Sequence, residues 1–568
     1  MIPDKGLDRW IAAILVALAL AFITSIPQLY LCYERGQKWN GSFATFDMDE
    51  LAYSAYANAL ADGRPRRNDP YNGKDNENFE SLFSIQFLPP YVLSSVARIL
   101  NLSVSTTFVL LVPLIVIFST LIIFKLALDV TQNTALSVAC SVAVLVLSAL
   151  TGQGTVLPFL PFLRRYVPAF PFPICLLMFL FVWRSLTRRS VFSPICAGLA
   201  FVLLIYSYFF LWTAALAWLV ALVALWITVR RDEWKNTLKA AGIIAGLGGP
   251  GILPYFWLVA HRAKTMDDAQ VLELSRTPHL FRLPEIVSFV ILALIIWLAR
   301  LGKIDWRDRS VLFISAFALA PILIFNQQVL TGRSLQPFHY EQFIADYMVL
   351  IATFLLLGMA WRAMPRIVPT TLTVATLSIA FTIAVTATRK THWSNASIDQ
   401  KRAVALNIKE ENNREIVFSS DPLLSTLIPT TAANPVLWSR YSYVFGSITP
   451  AARRQMYFKY LYYSGFDEAK LIQALQSDFT TRVEVFGAER SNPALSVKPQ
   501  EIGAEEIGVA GREFSAYCAH FGKRESADPR LGYAIVFPND DLTNLDRWYS
   551  RDQGRRVGDF IIYRLTPK

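Results

Sequence analysis

The feature that most limits what this chain can become is a recurrence of apolar runs, each about 20 residues long, between Trp10 and Ala387. A helix of about 20 residues, rising 1.5 Å per residue, matches the ~30 Å hydrocarbon thickness of a bilayer. Inside lipid the backbone has no water to bond to, so such runs can only cross as helices. Eleven runs can be set out, at 10–31, 106–127, 134–150, 169–186, 194–211, 212–229, 237–260, 284–299, 309–326, 344–362 and 367–387. The pair 194–229 is one continuous apolar stretch that has to be cut in two near Trp212. The expected fold class is a polytopic α-helical membrane protein with about eleven transmembrane helices.

Charge agrees with that class. Only 17% of residues are charged, against about 25% in soluble domains. From Thr388 onward the apolar runs shorten and charges become frequent, so residues 388–568 are expected to form a soluble α/β domain. Its pattern predicts strands at Glu415–Ser419, Tyr533–Phe537 and Asp559–Arg564, and helices at Pro450–Tyr463 and Leu542–Tyr549. Between the first two runs, Phe83 to Leu100 carries Pro89, Pro90 and Arg98, and is expected to lie along the membrane surface without crossing it.

The net charge of +11 raises the question of nucleic acid. Much of the basic excess sits in short loops between apolar runs, as at Arg184, Arg188, Arg189, Arg230 and Arg231. That is the positive-inside pattern of a membrane protein, so no nucleic-acid partner is expected. Threading the eleven runs with the N-terminus in the cytoplasm gathers Lys235, Arg300, Lys303, Arg307, Arg362 and Arg366 on that side as well; only the loop 128–133 lacks a cation. The loops 33–105, 151–168, 261–283 and 327–343, with the C-terminal domain, then face outward. The first run is too long for a signal-peptide core and is expected to be a retained helix.

Five cysteines, without a CxxC pair or metal-ligand spacing, indicate neither a disulfide framework nor a zinc site. The absence of GxGxxG, GxxxxGK and GxSxG leaves no nucleotide or serine-hydrolase signature, and no cofactor is expected.

Just beyond the first run lies a knot of acid, Asp47, Asp49 and Glu50, followed by Leu51, Ala55, Ala59 and Leu60 on one helical face and by Gly63 as a stop. Asp47 falls at an N-cap position with Glu50 three residues on, the spacing of a capping box. Local hydrogen bonding thus accounts for two of the acids. Asp49 is less well explained, and a carboxylate among Trp39, Tyr53 and Tyr56 at a membrane boundary can act as a general base on a hydroxyl. Arg164 and Arg165, just before Pro168 and Pro171, are either headgroup anchors or ligands for a phosphate. The loop from Asn326 to Glu341 gathers Arg333, His339, Tyr340 and Glu341 with several amides, residues that tend to face a cavity when near hydrocarbon. His339 and Glu341 are two apart and do not share a helix face, so no metal site is assigned there, although a divalent metal could assist a phosphate leaving group. His261, Arg262 and Lys264 are weaker phosphate candidates.

The order of these features resembles the GT-C class of integral-membrane glycosyltransferases, of the protein mannosyltransferase and aminoarabinose transferase type. One membrane helix is followed by Asp47, Asp49, Glu50, Leu51, Ala52 and Tyr53. A small-residue helix then ends at Asp62, Gly63, Arg64 and Pro65, and Pro89, Pro90 and Tyr91 precede a second membrane helix. The motifs cover about residues 10–130. The resemblance implies transfer of a sugar, with inversion, from a polyprenyl-phosphate-linked donor to an acceptor hydroxyl on an envelope glycan, lipid or protein, at the outer face of a membrane whose lipids surround the chain. The catalytic acid of the class maps onto Asp49 in the Asp49–Glu50 pair, with Asp47 a second candidate because three acids stand where the pattern has two. Two other readings use the same residues: a transporter or flippase of a lipid-linked sugar, and a membrane scaffold without catalysis. The lack of a duplicated pattern between 10–200 and 200–387 weighs against the transporter.

Overall fold

The computed structural model describes residues 6–76, 78–150, 159–188, 190–279, 281–361, 364–446, 448–491 and 500–568. Part of the expected outer loop 151–168, and the basic loop residues Arg189 and Arg362, lie outside the described residues. Each of the eleven apolar runs is helical over most of its described residues. Among the described residues eight helices are long and apolar enough to cross a membrane: Arg9–Lys38, Val104–Thr131, Phe209–Val229, Arg231–Ala260, Leu283–Arg300, Arg309–Thr331, Pro337–Ala360 and Ile367–Glu410. Two shorter apolar helices, Thr134–Leu150 and Phe192–Ile205, and the helix Phe172–Arg188 complete the set. The protein is a multi-pass membrane protein.

Local chemistry explains the helix ends. Asn133 accepts a bond from Leu136 N at 3.1 Å and Asp308 one from Ser310 N at 2.8 Å, capping the helices that follow. Gly332, at φ 72°, takes the left-handed conformation that stops Arg309–Thr331. The continuous run 194–229 breaks earlier than expected, at Tyr206–Tyr208, between Phe192–Ile205 and Phe209–Val229. Tyr208 is extended there (φ −159°, ψ 121°), whereas Trp212 is buried inside the second helix. Apolar content cannot locate that break, because both sides of it are equally apolar.

The polar segment expected as a loop up to residue 343 is instead largely helical. Pro337–Tyr340 forms one α-turn, Glu341–Ala345 a π-turn, and Asp346–Ala360 continues as α-helix. A π-turn adds a residue to the turn and re-aims the side chains on it.

The chain divides into two compact units. One holds residues 1–33, 108–257 and 274–392; the other holds 34–107, 258–273 and 393–568. Leu88–Ile99, opened by Pro89 and Pro90, is a helix of 12 residues, too short to span. Pro89, Pro90, Leu93 and Ala97 are buried, while Tyr91, Val96 and Ile99 stand exposed, as a surface-lying helix requires.

In the second unit the strands follow the expected pattern. Ile416–Ser419, Leu531–Val536, Phe560–Pro567 and Tyr549–Arg551 lie side by side in that order, with Arg555–Val557 also pairing to Phe560–Pro567. Val417 stands opposite Tyr533 in the parallel pair and Ile535 opposite Ile562 in the antiparallel pair. All six residues of Leu531–Val536 are buried, which is why that strand reads as a continuous apolar run. The helix Pro450–Tyr463 has the expected bounds. The helix expected at 542–549 shrinks to Thr543–Asp546, because Tyr549 starts a strand. The core between helices and sheet is aromatic, with Phe418, Trp438, Tyr457, Tyr460 and Tyr463 among its buried members.

Candidate functional site

The acid knot opens the helix Asp49–Ala61. Its start is shifted from the expected box by one residue. The Asp47 carboxylate accepts from Asp49 N at 3.0 Å, and the Glu50 carboxylate reaches back to Phe46 N at 3.0 Å. Asp47 O meanwhile accepts from Glu50 N at 3.1 Å, so a turn precedes the first helical residue. The expected capping box does not form: Met48 takes the N-cap position without a side-chain cap, Asp47 meets only the first helical N–H, and Glu50 bonds Phe46 N ahead of the helix. The stop is as expected: Gly63 has φ 85°, Gly63 N bonds Leu60 O, and Arg64 N bonds Ala59 O, both at 3.0 Å.

The helix between is buried on every side. Tyr53, Ser54, Tyr56 and Asn58 are as buried as Leu51, Ala55, Ala59 and Leu60, so the amphipathic reading of its sequence gives way to a core helix. Two polar side chains find partners in that core: Tyr56 Oη donates to Arg66 O, and Asn58 Nδ2 to Pro429 O at 3.2 Å. Glu50 is fully buried, whereas Asp47 and Asp49 remain half-buried at the helix start. The knot is thus one sealed carboxylate and two that reach the surface.

Around Asp49 the sequence reading missed a set of aromatic residues from a distant part of the chain. Tyr71, Tyr441 and Tyr443 all feel its charge. Burial pushes the Tyr71 and Tyr441 phenols well above the ordinary range; Asp49 adds to that rise and Arg440 opposes it. Tyr443 is raised for the same reasons. The rings of Tyr71 and Tyr441 lie 6.4 Å apart, and the Arg440 guanidinium sits 5.4 Å above the Tyr441 ring. The phenols therefore stay protonated, as donors beside a carboxylate. The sequence signal for Tyr441 and Tyr443 was the short polar-aromatic run Ser439, Arg440, Tyr441, Ser442 and Tyr443; Tyr71 had none.

Of the weaker phosphate candidates in the same unit, Arg262 is held by Asp267 at 2.6 and 2.8 Å. His261 O and Ala263 N bracket Glu80 in a bridge at 2.9 Å each.

In the other unit, Arg164 and Arg165 are 3% and 1% exposed. Arg164 Nε donates to Val167 O at 2.9 Å, and its Nη2 lies 3.3 Å from Tyr208 Oη. The guanidinium covers the Phe343 ring at 4.5 Å, and the His339 ring packs on the same phenyl at 5.3 Å. Arg164 and His339, far apart in sequence, thus meet on one aromatic. Arg165 Nε donates to Phe108 O at 2.8 Å. Tyr340 Oη bonds Thr213 Oγ1 at 2.9 Å, and Glu341, buried, accepts from Arg282 at 2.7 Å. Arg333 is exposed, and its backbone carbonyl accepts from Gln327 at 2.9 Å. Arg282, paired with Glu341, belongs to this polar group and was not foreseen; nor was Asp346, buried just past the π-turn. Ionisable groups in such a membrane segment are expensive unless they pair or serve a function. Among the described residues no three His, Cys, Asp or Glu side chains are grouped to hold a metal ion.

No protein-family model matches the chain, and no curated protein matches it in sequence. Among solved structures it is similar to ArnT from Cupriavidus metallidurans bound to undecaprenyl phosphate, with a TM-score of 0.43 and 12% identity over 98% of each chain. The same protein in the apo state gives 0.45 and 12%, over 91% of this chain and 93% of that one. ArnT is an aminoarabinose transferase of the GT-C class, the group that the acid knot and its flanking motifs resemble. At this level of superposition the likeness assigns no residue and no substrate.

Proposed function

We propose that the protein is a glycosyltransferase of the GT-C type, moving a sugar from a polyprenyl-phosphate-linked donor to an acceptor hydroxyl outside the cytoplasm. The single observation that carries the reading is Asp49: a half-buried carboxylate at a helix start, beside two acids bonded to N–H groups of the same turn and a wall of neutral phenols. That setting suits a general base.

In the proposed reaction Asp49 takes the proton from the acceptor hydroxyl as its oxygen attacks the anomeric carbon. The bond from that carbon to the carrier phosphate breaks, and its electron pair leaves with the polyprenyl phosphate. Configuration inverts because attack and departure lie on opposite faces. Asp47 is the second candidate for the base, and Glu50 fixes the turn that presents both. The departing phosphate needs positive charge or strong donors. Arg164, Arg165, Arg333, His339, Tyr340 and Glu341 are the proposed substrate-binding residues of the membrane unit. The proposed setting is a bacterial inner membrane, with the N-terminus cytoplasmic and the C-terminal domain outside, following the loop charges. The acceptor is an envelope glycan, lipid or protein.

Replacement Asp49→Asn keeps the shape and removes the base. The expected outcome is a fall in transfer of about 10²- to 10⁴-fold, read as loss of a modified envelope glycan and accumulation of the polyprenyl-phosphate sugar. An unchanged glycan profile, with the variant normally inserted, would overturn the reading.

A further inference from the structure

We propose that Tyr71, Arg440 and Tyr441 form a binding subsite beside Asp49 for the hydroxyl- and oxyanion-bearing head of a reactant. The inference takes its ligand class from the glycosyltransferase reading, but its geometry stands apart from it.

Tyr71 is the starting point. It is completely buried, and among the described residues its hydroxyl has no hydrogen-bond partner. Its backbone, by contrast, is fully engaged. Tyr71 N donates to Asp69 Oδ1 at 2.9 Å, and Tyr71 O accepts from Val436 N at 2.7 Å. The ring is held at 6.4 Å from Tyr441 and 5.7 Å from Phe445. The side chain is therefore held by its backbone and by two neighbouring rings, while its buried hydroxyl is left without a partner. A buried hydroxyl left without a partner is costly, and burying phenylalanine in its place would avoid that cost. A fixed tyrosine with an idle hydroxyl is what a ligand-binding position looks like between turnovers.

The neighbours supply the complementary chemistry. Arg440 is held over the Tyr441 ring at 5.4 Å, so one face of its guanidinium is stacked while its edge donors stay available for an oxyanion. The Tyr441 and Tyr71 rings offer apolar faces, and such faces beside a few fixed polar groups are the usual lining of a small-molecule site. Asp49 and Arg440 act on the same three phenols with opposite sign, which places the acid and the cation around one group of side chains. A reactant whose phosphate or carboxylate met Arg440, and whose hydroxyl met Tyr71, would lie beside the proposed base. Two reactants share that chemistry: the sugar-phosphate end of the donor and an anionic acceptor sugar.

The test uses the full-length protein in detergent and two probes, farnesyl-phosphate-linked mannose as the donor-like arm and methyl glucoside 6-phosphate as the acceptor-like arm. Binding is measured by calorimetry for the wild type, Tyr71→Phe, Arg440→Gln and Arg454→Gln, the last removing a guanidinium paired with Glu513 elsewhere. The expected result is binding of at least one probe, weakened about tenfold or more by Arg440→Gln and about three- to tenfold by Tyr71→Phe, with Arg454→Gln unchanged. The arm that weakens names the reactant. Tyr71→Phe should also melt at the same temperature as the wild type or higher, because no internal bond is lost. The proposal is overturned if neither probe binds the wild type, if both variants bind as the wild type does, or if Tyr71→Phe lowers the melting temperature. Asp49→Asn separates the two readings: intact probe binding with transfer lost supports both, whereas intact transfer removes the glycosyltransferase reading and leaves the subsite to be judged by its own binding data.

Discussion

Two neighbouring stretches of one polar segment, residues 35–45 and 47–50, use carboxylates in opposite ways. At residues 35–45 the chain gathers around Asp399, a fully buried acid that accepts from Arg35 Nε at 2.9 Å, Asn40 N at 2.9 Å, Ser42 N at 3.3 Å and Ser42 Oγ at 2.8 Å. Thr45 is tied in the same manner to Asn395 Oδ1, at 2.9 and 2.8 Å. At residues 47–50 the carboxylates meet N–H groups of their own turn, and Asp49 sits half-buried among phenols. A carboxylate saturated by donors from elsewhere in the chain is a structural hub. One at the surface beside neutral phenols can exchange a proton. Burial alone does not make the distinction; the kind of neighbour does.

The contrast can be broken most severely at the hub. Asp399→Ala should leave Arg35, Asn40 and Ser42 facing an empty position and cost about 3–5 kcal/mol of stability, read as a large fall in melting temperature and early proteolysis of the unit that holds residues 393–568. A silent Asp399→Ala would erase the difference between the two sites.

Glu484 is an intermediate case, buried with a single cation, Arg453, at 3.3 Å. Burial outweighs the arginine and pushes its carboxyl up to about 7. Because the folded value lies above the unfolded one, its contribution is fully present below about pH 4.5 and is lost as pH rises through about 7. Glu484→Gln cannot ionise, so its stability relative to wild type should improve between pH 5 and pH 8 by up to about 2 kcal/mol. Melting curves at the two values check this; a constant gap would mean that Glu484 ionises normally.

The smallest effect is expected from Asp47→Ala. It should cost about 1 kcal/mol as a lost helix-start bond while transfer persists, measured by melting and by glycan profile. Loss of transfer with stability intact would move the base from Asp49 to Asp47.

Much of the fold was legible because lipid imposes a length and an apolar composition on each crossing, and both are written locally. The break inside 194–229 was not legible, since it depends on the backbone conformation at Tyr208 and not on hydropathy. The helix stop at Gly63 could be read from one residue, while the exact partners of Asp47 and Glu50 could not, because a single extra turn residue reassigns them. For the candidate site the acids and the Arg164 and Asn326–Glu341 candidates could be named from sequence, but not which side chains meet one another. Tyr71 and Tyr441 come together across some 370 positions, and Arg164 and His339 across Phe343. Such meetings are made by the fold, and no spacing rule in one sequence announces them.

The bonds from Asn395 to Thr45 have a consequence for how a reactant could arrive. Asp49 lies four positions beyond that fixed point, a span of at most about 14 Å even when fully extended. The helix that follows is buried along its length, so the acid has no slack on that side either. Asp49 is therefore held close on both sides. On the proposed reading a reactant comes to an acid that is fixed in place, and any opening or closing belongs to other parts of the chain.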